Sequence, residues 1–124
     1  MRSSREQRGR ARTPIDPEAV ALVEARVNRG RAERDRQRRI LRVAASVTRL
    51  LIIRVLAETP LAAGDLAQVI GRSAAATSQH IRLLRDVDAI EATRSGNVVR
   101  YRIAKHPTAR ILEALARSFD SPSD

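Results

Sequence analysis

The 124-residue chain has no cysteine and no tryptophan, and Tyr101 and Phe119 are its only aromatic residues. Without cysteine there is no disulfide, thiolate metal site, thiol redox sensor or cysteine nucleophile. With two aromatic rings there is no platform for stacking successive bases, which argues against single-strand and RNA binding. Lysine is nearly missing too, because Lys105 is the only one. No stretch approaches the 18 apolar residues of a membrane span, since Leu50-Leu51-Ile52-Ile53 is broken by Arg54. The N-terminus lacks the apolar segment of a signal peptide, so an intracellular protein is expected.

What the chain does have is arginine. The formal net charge is +10, with 24 basic residues against 14 acidic ones. A surplus of this size favours a polyanionic partner. Arginine's planar fork matches phosphate and guanine bidentately, where lysine offers a point charge. A genome rich in G and C raises arginine and alanine on its own account, so composition does not identify the partner by itself. The charge is also uneven: residues 1–42 hold 13 arginines against 6 acidic residues, and 43–124 hold 11 basic residues against 8 acidic ones.

The length suits one domain with a modest core. Residues 1–14, with Arg2, Arg5, Arg8, Arg10 and Arg12 among Ser, Gly and Pro, show no apolar periodicity and are expected to form a disordered basic arm. Its expected role is to bind phosphate or track a groove, against the plainer alternative of a solubilising tail. Residues 15–30 read as an extra N-terminal helix, with Asp16 as N-cap, Pro17 at the first turn, and Val20, Val23 and Val27 at helical spacing before Gly30. A second helix starts near Arg31. Its first half is a solvated charged run with internal pairs such as Asp35 with Arg39, and its second half turns apolar at Ile40, Leu41, Val43, Ala44 and Val47.

A break at 45–48 then leads to a buried helix through Leu50, Leu51, Ile53, Val55, Leu56 and Ala57, stopped by Pro60. Short helix 64–70, a Ser73-capped helix to 86 and a hairpin over 90–103 follow, with Gly96-Asn97 as its tight turn. Pro107 opens a last helix with Ile111, Leu112, Leu115, Ala116 and Phe119 along one face, and 121–124 read as a frayed end. The fold class is therefore mainly α with a small β-hairpin: a winged helix-turn-helix in the order α-α-α-α-β-β-α, with an extra N-terminal helix. Residues 31–106 would be the DNA-binding domain and 107–120 a dimerisation helix.

Two helices at a tight turn followed by a basic hairpin place one helix in the major groove of DNA. Within 73–87, Thr77, Ile81 and Leu84 fall at i, i+4 and i+7 and form the core stripe. Ala75, Ser78, Gln79 and Arg82 rotate to the opposite side. Gln suits adenine, Arg suits guanine, and alanine methyls suit thymine methyls. Ser73 caps the helix where backbone phosphate would lie, and Arg72 and Arg85 are expected phosphate contacts. His80 falls nearer the buried edge and reads as a packing or hydrogen-bonding residue. In the hairpin, Val99, Tyr101 and Ile103 alternate with Val98, Arg100 and Arg102, so Arg94, Arg100 and Arg102 are expected to flank phosphates or a minor groove.

Other classes stay open. A non-specific architectural DNA-binding protein using the basic arm is compatible with Ala74, Ala75 and Ala76, which leave few hydrogen-bonding readers. A protein-interaction module of the same shape fits the basicity less well. No nucleophile–base pair, glycine-rich phosphate loop or metal cluster supports an enzyme, so no catalytic or cofactor-binding residue is expected.

Residues 40–104 resemble the ArsR/SmtB family of bacterial winged-helix repressors. The matching pieces are Thr48-Arg49-Leu50-Leu51-Ile52-Ile53, Leu56-Ala57-Glu58, Pro60-Leu61 and Gly64-Asp65-Leu66-Ala67. They continue with Ser73, then Ser78-Gln79-His80-Ile81-Arg82-Leu83-Leu84-Arg85, and run from Gly96 to Tyr101-Arg102-Ile103. The resemblance implies a homodimer, built from the first and last helices, that represses by occupying a pseudo-palindromic operator in double-stranded DNA and lets go when an effector binds. A winged helix this small also leaves its terminal stripes in need of a partner surface, namely Val20, Val23, Val27, Ile40, Ile111, Leu112, Leu115 and Phe119.

The chain departs from that pattern in four places. Many relatives carry metal-binding cysteines near 62–70 or a His/Asp/Glu set on the last helix. Here Ala62-Ala63-Gly64 offers no ligand, and His106 and Glu113 alone fall short of a tetrahedral site, so no metal is expected. Val47 stands in place of the family's proline. Asp88 replaces the glycine that ends the recognition helix, a position where aspartate tolerates a left-handed backbone.

Overall fold

A computed structural model describes residues 13–28 and 30–120, and the chain divides between 35 and 36 into two units. The expected basic arm, up to residue 12, and the frayed end 121–124 lie outside the described residues.

In the first unit, α1 spans Pro17–Val27. Its start follows from Asp16, whose carboxylate accepts from the Ala19 N–H at 3.0 Å, and from Pro17 in the first turn. None of its residues is buried, and Val20, Leu22, Val23 and Val27 all face outward. Helix α2, Arg31–Ala44, runs across the division and buries Ile40, Val43 and Ala44 in its second half.

The second unit is built around α3, Val47–Glu58, whose Ile52, Ile53 and Leu56 are buried. The helix begins inside the expected break, because Ser46 accepts from the Arg49 N–H at 3.2 Å and caps it. Val47 therefore occupies the first helical position, where a proline would also fit. The expected face of α3 was wrong in part: Leu51 and Ala57 are exposed, while Ile52 is fully buried. The run is apolar on nearly every side, so periodicity alone could not choose the inward face.

Helices α4 (Ala63–Ile70) and α5 (Ala74–Asp86) pack on each other and on α3. Strands β1 (Ile90–Ser95) and β2 (Val98–Ile103) form an antiparallel pair running from Ile90 opposite Ile103 to Ser95 opposite Val98. That register leaves two turn residues, and Gly96 takes the positive φ of 62° that the first of them requires. Leu61 adds a single bridge to β2, exchanging backbone hydrogen bonds with Tyr101 at 3.1 and 2.8 Å. This bridge fixes the root of the hairpin to the α3–α4 connection, and no local pattern announced it.

Helix α6, Pro107–Ser118, packs against α3 and buries Thr108, Ala109, Leu112 and Ala116. Two residues assigned to a partner surface belong instead to the subunit's own core: Ile40 is 5% exposed and Leu112 1%. The stripe on each helix is real, but part of it is satisfied within the chain. Buried Thr108 is satisfied as well, accepting from Arg36 Nη2 at 3.3 Å.

Candidate nucleic-acid interface

Three residues separate α4 from α5, and each has a local reason. Gly71 takes φ +68° at the C-terminus of α4, directing its N–H and that of Arg72 back to the Ala67 carbonyl. Ser73 Oγ then accepts from the Ala76 N–H at 3.1 Å, and the Ser73 carbonyl takes the Thr77 hydroxyl at 2.8 Å. This turn fixes how α5 leaves α4, and hence which side of α5 is free.

Thr77, Ile81 and Leu84 are buried, and Ala75, Ser78, Gln79, Arg82 and Arg85 are exposed, together with Arg72 and Ser73 at the helix start. The polar face of α5 is open to a partner. Arg85 leans toward the hairpin, its guanidinium 5.9 Å from the centre of the Tyr101 ring, so the C-terminal turn of α5 meets the wing.

In the wing, Val99, Tyr101 and Ile103 are half-buried while Val98, Arg100 and Arg102 point outward. The register separates the arginines that the sequence grouped together. Arg94 lies opposite Val99, on the inward-facing side near the tip, whereas Arg100 lies opposite Thr93 on the outer side. Arg102 is already compensated: its Nε donates to Glu91 Oε1 at 2.7 Å. Among the described residues Arg72, Arg82, Arg94 and Arg100 have no ion-pair partner, so their charge is available to phosphate.

Behind this face lies a contact that the sequence did not signal. The Arg49 guanidinium donates from Nε to the Val43 carbonyl at 2.7 Å, from Nη2 to the Arg42 carbonyl at 3.1 Å, and from Nη1 to His80 Nδ1 at 3.4 Å. His80, on the inner edge of α5, is half-buried. Burial first, then the Arg49 and Arg72 charges, push its imidazole below the ordinary histidine range. Its neutral form is favoured.

Asp88 adopts φ +60° after α5, as expected of the residue standing in for glycine. His106 Nδ1 accepts from the Thr108 N–H at 3.1 Å and caps α6, while Glu113 pairs with Arg117 at 3.4 Å. No group of three His, Asp or Glu stands together as a metal site among the described residues.

Of the remaining apolar positions, Ile111 on α6 and Phe119 at its C-cap are exposed, and Leu115 is half-buried. Leu115 and Phe119 border a cleft of about 770 Å³ between α3 and α6, lined mainly by Leu50, Leu51, Val55 and Ala116. Arg54, ion-paired to Asp120 and Glu58, sits at its edge.

The family model described as "Bacterial regulatory protein, arsR family" matches residues 46–91. The chain is 34% identical over 77 residues to the HTH-type transcriptional regulator YgaV of Escherichia coli, covering 61% of this chain and 78% of that one. It is 29% identical over 108 residues to the HTH-type transcriptional regulator NmtR of Mycobacterium tuberculosis, covering 87% and 78% respectively. Among solved structures, a possible transcriptional regulatory protein (fragment 1–100) from Mycobacterium bovis superposes with a TM-score of 0.63 at 28% identity, over 75% of this chain and all of that one. The fold is a winged helix-turn-helix, as in the domain of that name from Mycobacterium bovis protein Mb0332, which superposes with a TM-score of 0.63 at 23% identity over 91% of this chain and 94% of that one.

Proposed function

The chain belongs to the arsR family of bacterial regulatory proteins, and from that premise we propose a homodimeric, sequence-specific repressor that occupies a pseudo-palindromic operator in duplex DNA. It is a DNA-binding transcriptional regulator. The observation that carries the sequence-specific reading is the free face of α5, flanked on the wing by exposed arginines with no ion-pair partner among the described residues.

On this reading Gln79 and Arg82 read base edges, Ala75 meets a thymine methyl and Ser78 contacts a base edge or the backbone. Arg72, Ser73, Arg85, Arg94 and Arg100 hold phosphates and set the register, and Arg102 contributes less because Glu91 already takes its charge. No catalytic, cofactor or metal role is assigned to any residue. Because it acts on chromosomal DNA, we assign the protein to the cytosol.

The dimer is proposed through residues 107–120 and the extra N-terminal helix. Ile111, Leu115 and Phe119 continue the apolar cleft between α3 and α6 out to the surface, and Val20, Val23 and Val27 give α1 a second exposed apolar stripe. A second copy of the chain is the occupant that brings two recognition helices to two half-sites one helical turn apart. Repression follows from occupancy, since a promoter covered by the dimer is closed to other proteins.

The test is a mobility shift at physiological salt with a duplex from the region upstream of the protein's own coding sequence, set against a base-scrambled duplex. Retention of the native duplex alone supports the proposal. Equal retention of both supports the architectural alternative, which the alanines at 74, 75 and 76 favour.

A further inference from the structure

We infer that Arg49 and His80 form a strut that fixes the recognition helix against the α2–α3 corner and so sets how sharply the protein discriminates DNA sequence. The inference rests on the DNA-binding reading above and adds a positioning role for two residues that touch no base in it.

The end of α2 leaves carbonyls orphaned. Helix α2 ends at Ala44, so the carbonyls of Arg42 and Val43 lie in its last turn, where intrahelical donors run out. The Arg49 fork supplies the missing donors to both, from the first turn of the next helix. Its own N–H is held by Ser46, so the base of the side chain is anchored as well. The third arm of the fork reaches α5. Arginine has no acceptor and stays charged, so His80 Nδ1 must be the acceptor and the imidazole proton must sit on Nε2. One rigid planar group therefore ties three elements together. Lysine, with a single ammonium, cannot reproduce the geometry.

The placement gives the strut its consequence. His80 adjoins Gln79 in sequence and lies on the same helix as Arg82, but it faces inward. Whatever tilts or slides α5 moves the base-reading face with it. Among the described residues the charges acting on His80 are both cations, Arg49 on α3 and Arg72 in the α4–α5 turn, with no carboxylate beside them. Protonating His80 removes the acceptor and sets a third positive charge beside two others. The strut then opens, while the added charge favours phosphate in general. Acidification is thus expected to lower discrimination between sequences without lowering affinity for DNA as such.

The experiment compares wild type with His80→Asn, His80→Ala and Arg49→Gln. Affinities for the native upstream duplex and for its scrambled counterpart are measured by fluorescence anisotropy between pH 8 and pH 5.5. His80→Asn keeps an acceptor near the Nδ1 position and cannot titrate there, so its discrimination is expected to stay close to the wild-type value at pH 8 and to hold on acidification. His80→Ala and Arg49→Gln are expected to lose about tenfold in discrimination at pH 8, the scale of one charge-assisted hydrogen bond. They should also lose the pH dependence expected of wild type on acidification.

A readout without DNA accompanies this one: the His80 titration followed by NMR should move up in Arg49→Gln. Wild-type discrimination shared by His80→Ala at every pH, or a His80 titration unmoved by Arg49→Gln, would overturn the strut while leaving the DNA-binding reading intact. Loss of discrimination in wild type itself, at every pH, would remove that reading and the strut together. If Arg49→Gln fails to fold, the two His80 variants decide.

Discussion

Arg100 and Arg102 stand two residues apart on the same strand and face the same side, yet they differ in what they can offer a phosphate. Arg100 has no ion-pair partner among the described residues, whereas Arg102 is bound to Glu91 across the hairpin. Arg100→Ala should therefore weaken binding to all sequences alike and flatten the salt dependence by about one phosphate contact, and Arg102→Ala should do less. Glu91→Gln frees Arg102 and should steepen the salt dependence, as read from affinity titrations at several salt concentrations. Much of this scale was legible in advance: the inward stripe of Thr77, Ile81 and Leu84 and the outward set of Gln79 and Arg82 follow from spacing and residue type, and the left-handed Asp88 from the glycine that the family resemblance implies at that position. The Glu91–Arg102 pair and the Arg49–His80 contact were not, because pairing across 11 and 31 residues depends on register and packing that no local pattern contains.

At the scale of elements, the turn between α4 and α5 is the most firmly specified piece of the chain. Gly71 ends one helix, Ser73 starts the next, and only Arg72 lies between. Ser73→Ala removes the hydrogen bond to the Ala76 N–H and should cost about 1 kcal/mol in chemical denaturation, with sequence discrimination falling as the first turn of α5 frays. Punctuation residues made α4, α5 and the hairpin readable from sequence. Helix α3 was readable as a helix but not as a face, since Leu50, Leu51, Ile52 and Ile53 run apolar around it. The Leu61 bridge to Tyr101 was invisible, because one extended residue after a proline carries no periodicity at all.

For the whole molecule, the terminal helices separate into what the chain keeps for itself and what it presents. Leu112 is sealed in the core, so Leu112→Ala should cost about 2–5 kcal/mol of stability. Phe119 is 73% exposed and Ile111 47%. Phe119→Glu together with Ile111→Glu should leave the melting of the single chain nearly unchanged while shifting the sedimenting species from dimer to monomer. A sequence stripe could not make that distinction, because a helix turned toward its own core and one turned toward a second copy carry the same spacing.

The central claim is that the free face of α5, with the wing beside it, reads duplex DNA. The most direct measurement is the ratio of affinities for the native upstream duplex and its scrambled counterpart at physiological salt, for wild type and for the Gln79→Ala, Arg82→Ala double variant. A wild-type ratio of about a thousand or more is expected, reduced by at least about tenfold in the double variant, with binding to scrambled DNA changed far less. A double variant that keeps the full wild-type ratio would contradict it.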